Sequence, residues 1–189
     1  MSPELIGWLL AIALVGLLVT VYLSWTAGRI DRMHARVETA RAALDAQRHR
    51  RSSVAIEIAV AGHLDPASAV LVADSAHRAG AAPPGEEELA ENDLTRALAA
   101  AFAEPPEPSG NARGTDSLAR ELNLLDELEE ACRRLQLARR FHNDAVRATA
   151  ALRAHRVVRW LRLAGHAPAP LAIDFDDSIP PGVDAAARA

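Results

Sequence analysis

The run from Leu5 to Trp25, LIGWLLAIALVGLLVTVYLSW, contains no charged side chain. At 1.5 Å per residue, about twenty apolar residues in a helix cross a hydrocarbon core of about 30 Å. A helix also satisfies its own backbone groups, which lipid cannot do. Trp8 stands near one end, and Tyr22 and Trp25 near the other, where amphipathic rings settle at the two interfaces. The rest of the chain offers too little apolar surface to bury this run as a core helix. A cleaved leader needs a positive flank before its core and a small-x-small site after it. Here only Glu4 precedes the run and SWTAGR follows it. Residues 5–25 are therefore expected to be a retained transmembrane helix, with residues 1–4 as a short extracytoplasmic N-terminus.

Charge bias gives the helix a direction. Arg29, Arg32 and Arg36 crowd its C-terminal flank and no Arg lies on the other side. The positive-inside rule then places the N-terminus outside and the following domain in the cytoplasm of the cell. Cys132 is the single cysteine, which excludes an internal disulfide and suits a reducing compartment.

Beyond the anchor the chain is expected to be all-α. Half the residues are hydrophobic but only 4% are aromatic, a mixture that favours closely packed helices over a β-sandwich. Gly28 is a candidate joint. After it Ile30, Met33, Val37, Ala40 and Leu44 recur at helical spacing, and Val54, Ile58 and Ala61 resume the stripe. Gln47 and Arg51 fall on the stripe between them, so one long helix from about Arg29 to Ala61 is expected, with a polar layer inside it and Gly62 as its stop. Asp65-Pro66 is an N-cap followed by proline at the first helical position, opening a short helix to about Ala79. A third helix opens on Glu86, Glu87 and Glu88, whose charges suit the positive end of the helix dipole. It is expected to turn Leu89, Leu94, Leu98 and Phe102 inward. The stretch 104–115, which contains EPPEPSGNARG, reads as a flexible linker. The fourth helix is expected from Asp116 to about Leu163, with Leu118, Leu122, Leu125, Leu128, Cys132, Leu135, Val146, Thr149 and Leu152 facing inward. The tail, 168–189, lacks helical periodicity and is expected to be loosely held. Four helices over 29–163, the first and last long, make an antiparallel up-and-down four-helix bundle the expected architecture.

Three stretches together resemble the LemA family of bacterial membrane-anchored helical proteins. In RVETARAALDAQRHRRSSVAIEIA the matching residues are Val37, Glu38, Ala40, Asp45, Gln47, Arg50 and Arg51, with Gly62 further on. In AENDLTRALAAAFA they are Glu91, Asn92, Leu94, Leu98 and Phe102. In LARRFHNDAV they are Ala138, Arg139, Arg140, Phe141, Asn143, Asp144 and Val146. The sequence departs from the family pattern at His142, at Ile56-Glu57 and at Thr149-Ala150. The resemblance implies a membrane-tethered four-helix bundle and no settled biochemical activity. All 21 basic residues are Arg, and with the Ala excess this reads as the product of a GC-rich bacterial genome.

No catalytic constellation stands out, and no cofactor or metal is expected. The seven His are scattered, and none pairs with another at three- or four-residue spacing as metal ligands on a helix would. Glu127, Glu129 and Glu130 lack the Glu-x-x-His partner of a di-metal bundle and read as a solvated face. Cys132 lies among leucines, where a nucleophile would lack a base and access. GAAPPG and SGNARG have no Lys and follow no strand, unlike phosphate loops. Few aromatics are available to stack bases, so nucleic acid is not an expected partner.

Two residue sets remain. On the fourth helix, Arg140 and Asp144 are four apart and positioned to pair, with Asn143 on the same face as Arg140. Arg139, Arg140, Asn143 and Asp144 are thus a candidate structural network or partner motif. The second set follows from charge. From Arg133 to Arg162 nine Arg face Asp144 alone, whereas from Glu86 to Glu130 thirteen acidic residues face three Arg. In an up-and-down bundle the fourth helix returns toward the membrane. Arg29, Arg32 and Arg36 would then lie at the bilayer with Arg153, Arg156, Arg159, Trp160 and Arg162. An anionic leaflet attracts such clusters at about 1 kcal/mol per Arg. The acidic stretch from Glu121 to Glu130 would point away as a docking face.

The lipid bilayer is thus one expected partner and an unidentified protein another. A non-enzymatic scaffold or adaptor is the leading expectation. A self-associating structural protein, with homo-oligomers formed through the long stripes, and an unrecognised hydrolase are the alternatives.

Overall fold

A computed structural model describes residues 3–62, 64–103, 115–160 and 169–186. Every regular element among them is a helix, and no strand occurs: α1 Pro3–Val60, α2 Pro66–Ala81, α3 Glu87–Ala101, α4 Thr115–Ala154, α5 Arg156–Trp160 and α6 Pro181–Ala186. Helix α1 runs through Gly28 without a break, so the expected joint between anchor and domain is absent. It ends before Gly62, whose φ of 76° is the left-handed conformation that a helix stop requires. The Asp65 side chain accepts hydrogen bonds from the Ala67 and Ser68 amides, capping α2. Hydrogen bonding from Ser68, its side chain first and then its amide, holds the Asp65 carboxyl below the usual carboxylate range, with a smaller pull from the Ala67 amide. Helix α2 runs past the expected end at Ala79, through Gly80 to Ala81; a side chain at Gly80 would come within 3.6 Å of Ser52 Cβ.

The chain divides into two compact units, residues 1–39 with 144–172 and residues 40–143 with 173–189. In the first, the α1 segment carrying Leu5, Leu9, Ile12, Leu17 and Leu18 leaves these side chains exposed. Its most apolar stretch has a mean hydropathy of 2.5 and none of it is buried in the protein. This helix is long and apolar enough to cross a membrane. Ile30 is buried farther along, and the Thr149 hydroxyl donates to the Ala145 carbonyl at 2.8 Å, with the Met33 carbonyl 3.5 Å from it.

In the second unit four helices share one core. Val54 and Ile58 come from α1, Val72 and Ala76 from α2, Leu94 and Leu98 from α3, and Leu125, Leu128 and Cys132 from α4. Helices α2 and α3 pack on each other. Much of the helical stripes read from the sequence is buried, including Ile30, Leu44, Val54, Ile58, Leu94, Leu98, Phe102, Leu125, Leu128, Cys132, Leu135, Val146 and Thr149. Met33, Val37, Ala40 and Leu152 are half-buried, Ala61, Leu89 and Leu122 are exposed, and the Leu118 side chain lies outside what is described. Leu89 is 64% exposed and Leu122 45%, because each lies on the solvent edge of its helix. Cys132 is buried among these leucines, and burial pushes its thiol pKa up, against a smaller pull from the Arg51 charge.

The tail departs most from expectation. Residues 169–180 are irregular, yet Ile173, Phe175 and Val183 are buried. Ile173 and Phe175 form a small cluster with Leu44, Leu135 and Ala138, and Val183 joins the main core. The Gly182 amide donates to the Phe102 carbonyl at 2.9 Å. The segment is fastened: residues 173–177 alternate between buried and exposed as an extended segment does, and the expected lack of helix is corrected by α6 at its end. The 104–114 linker and the end of the expected fourth helix beyond residue 160 lie outside the described residues; α4 itself stops at Ala154.

Candidate functional site

The polar layer of α1 becomes a buried charge network. Arg51 and Glu91 both have side chains with no solvent exposure, and an Arg51 guanidinium nitrogen lies 3.2 Å from the Glu91 carboxylate. Arg48 donates to the other carboxylate oxygen, also at 3.2 Å. Burial pushes the Glu91 carboxyl pKa up, and the opposing charges of Arg51 and Arg48 offset this only in part. The second terminal nitrogen of Arg51 donates to Thr95 Oγ1 at 2.8 Å. Thr95 in turn donates to the Asp176 carbonyl at 2.6 Å. The buried pair is therefore linked, through one hydroxyl, to the backbone of the tail.

Around that link, side chains of α3 and α4 hold the tail by its backbone. Asn143 acts as a two-sided clamp: its Nδ2 donates to the Ile173 carbonyl and its Oδ1 accepts the Ile173 amide, both at 2.9 Å. Glu88 accepts the Asp174 amide at 2.9 Å and Asn92 the Asp176 amide at 2.7 Å. Gln136 donates to the Asp177 carbonyl at 2.7 Å. Arg139 forks onto the Asp177 carboxylate at 2.8 and 3.0 Å, and its guanidinium lies 5.6 Å from the centre of the Phe175 ring. The hydrogen bond to Asp177 pushes the Arg139 pKa up.

The two residue sets expected from the sequence fare differently. Arg139 and Asn143, four apart on α4, share one face and meet at the tail. The expected Arg140–Asp144 pair is replaced: Asp144 is paired with Arg147, three residues on, and Arg140 is exposed. A three-residue step serves Asp144 as well as a four-residue one, and Asn143 follows Arg139 onto the tail rather than Arg140. Phe141 is 65% exposed. Tail residues Ile173, Phe175 and Asp177 were missed by sequence reasoning. Their signal was a period-two alternation, Ile173-Asp174-Phe175-Asp176, that marks an extended strand-like segment.

In the first unit, Arg29, Arg32, Arg36, Arg156 and Arg159 are exposed, and Arg153 is half-buried within 3.3 Å of His34. Tyr22, Trp25, Thr26 and Arg29 line a cleft of about 110 Å³ with Leu152, His155 and Val158. The Arg29 guanidinium lies 5.8 Å from the centre of the Trp25 ring. The end of α4 and the start of α5 thus lie beside the C-terminal end of the apolar run. The Trp160 side chain and Arg162 lie outside what is described. The acidic stretch is largely neutralised where it is described: Glu127 pairs with Arg50, Glu129 with Arg133 and Glu130 with Arg134. Among the described residues no group of three or more His, Cys, Asp or Glu is arranged to hold a metal ion.

No protein-family model, curated protein or solved structure matches this chain. What brings the three resembling stretches together is geometry. Arg51 comes from the first, Glu91 and Asn92 from the second, and Arg139 and Asn143 from the third. All five meet in one network around residues 173–177.

Proposed function

We propose that this chain is a membrane-tethered helical scaffold or adaptor of LemA type. In this reading α1 spans the bilayer with the N-terminus outside, and the helices after it form an up-and-down bundle in the cytoplasm. The observation that carries the reading is the uncovered apolar surface of α1. About twenty exposed apolar residues in one helix are unstable in water, where each CH₂ kept wet forfeits about 0.8 kcal/mol, but are at equilibrium in lipid. The three-Arg flank at Arg29, Arg32 and Arg36 supports the orientation. The core shared by α1 to α4 supports the bundle. Convergence of the three resembling stretches supports the family reading.

A reporter fused after Ala189, active only in the cytoplasm, is the expected result. Activity only outside the cell would overturn the orientation.

A contact between α5 and the inner leaflet belongs to the same reading. It is supported by exposed Arg156 and Arg159 beside the end of the apolar run. In lipid nanodiscs, exchanging both for Gln is expected to reduce labelling of α5 by a photoactivatable anionic lipid. Unchanged labelling contradicts the contact.

A further inference from the structure

The tail is held in the way a receptor holds a ligand. Six backbone groups between Ile173 and Asp177 are satisfied by side chains: both polar groups of Ile173 by Asn143, the Asp174 amide by Glu88, the Asp176 amide and carbonyl by Asn92 and Thr95, and the Asp177 carbonyl by Gln136. Such contacts grip any extended backbone regardless of its sequence. Selectivity comes from the side chains, which alternate. Ile173 and Phe175 turn into an apolar floor of Leu44, Leu135 and Ala138, while Asp174 and Asp176 face solvent. Arg139 then reads both an aromatic ring and a carboxylate two residues later. Backbone hydrogen bonds for affinity and alternate pockets for specificity are the pattern of extended-peptide recognition.

This small cluster is separate from the main core, which the four helices build largely without it. Its occupant is therefore exchangeable without dismantling the helices, while Val183 keeps the far end of the tail pinned.

The geometry points to a peptide-binding groove on the α3–α4 face. Its ligand is an extended acidic segment of a partner protein, patterned aliphatic–x–aromatic–x–acidic, and residues 173–177 are the resident competitor. The charge of Arg139, anchored beside the groove, complements that acidic ligand. The inference gives the scaffold reading a partner chemistry and rests on it only for where the partner is met. Loss of peptide binding by a chain that stays in the membrane sinks the groove alone, and release from the membrane sinks the tether alone.

The test uses the full chain in detergent and a fluorescent peptide spanning residues 170–179. A cis occupant lowers apparent affinity by the fraction of time it fills the groove. The variant Phe175→Ala/Asp177→Ala, which weakens the resident tail, is expected to bind the peptide at least about tenfold more tightly than the wild-type chain. Adding Asn143→Ala or Arg139→Ala is expected to remove that gain, and a peptide carrying the same two Ala exchanges is expected not to bind. Should the double variant lose helicity, the wild-type chain serves: excess peptide is expected to speed hydrogen exchange at the Ile173 and Asp176 amides. No gain in binding together with no change in exchange overturns the proposal. So does a dimer formed by exchange of intact tails, which would assign the groove to a second copy of the chain.

Discussion

Arg51 and Glu91 form an ion pair at 3.2 Å with neither side chain reaching solvent. One lies on α1 and the other on α3, so the pair fixes the relative register of two helices inside the second unit. Arg48 and Thr95 complete it, and Thr95 passes the connection to the tail. Buried pairs are weak sources of net stability but costly to break, because the partner left behind is a desolvated charge.

Glu91→Ala is accordingly expected to cost about 3–5 kcal/mol, read from urea unfolding midpoints. The double exchange Glu91→Leu/Arg51→Met is expected to recover most of that loss. A double variant no more stable than Glu91→Ala would contradict this account of the pair.

The same residue sets a pH dependence. Burial raises the Glu91 pKa in the folded state, so the folded chain binds this proton more tightly than the unfolded chain. Its contribution to stability is then fully present below the ordinary Glu value, about 4.3. It is lost as pH rises through the raised folded value. The stability difference between wild type and Glu91→Gln should shrink as pH rises across that window. A difference that grows would mean the arginines outweigh burial.

Phe175 and Phe141 make a matched comparison. Phe175 is 5% exposed and Phe141 65%. Phe175→Ala is expected to lower the opening free energy of the tail by about 2–3 kcal/mol, a little below the cost of a fully buried site, since the tail opens locally. Phe141→Ala should change stability by no more than about 0.5 kcal/mol. Hydrogen exchange at the Ile173 amide reports the first effect, and unchanged exchange in Phe175→Ala would contradict the packing described.

Arg139 and Asp177 are partly shielded from solvent and joined by a fork of two hydrogen bonds. A double-mutant cycle with Ala at both positions is expected to show a coupling of about 1 kcal/mol in tail opening, reduced by salt. A coupling of zero would demote the pair to a crystal-like surface contact with no role in holding the tail.

Much of the fold was legible because helices announce themselves by period. The stripe from Ile30 to Ile58, the Asp65 cap and the Gly62 stop each depend on local chemistry, and each is found where the local rule puts it. Gly28 misled because a helix interior tolerates one glycine at about 1 kcal/mol, which the flanking turns absorb. The site was less legible because its contacts are distant in sequence. Glu91 and Arg51 are each unremarkable on their own helices, and only packing brings them together. The tail was misjudged for a further reason: side chains of α3 and α4 satisfy its backbone, and no local pattern in residues 171–180 records those partners. Arg140–Asp144 failed because two arginines compete for one carboxylate at equal cost.

The central claim is that α1 holds this chain in a membrane, and extraction at alkaline pH tests it most directly. Membranes containing the full chain are washed with about 1 M salt and then with carbonate at about pH 11. The salt screens the attraction of Arg for anionic lipid, which high pH leaves intact because Arg stays protonated, while bilayer-spanning helices stay embedded. The chain is expected to remain in the membrane pellet, and a variant with Leu9, Ile12 and Leu17 exchanged for Arg is expected to leave it. Recovery of the unmodified chain in the supernatant would contradict the account.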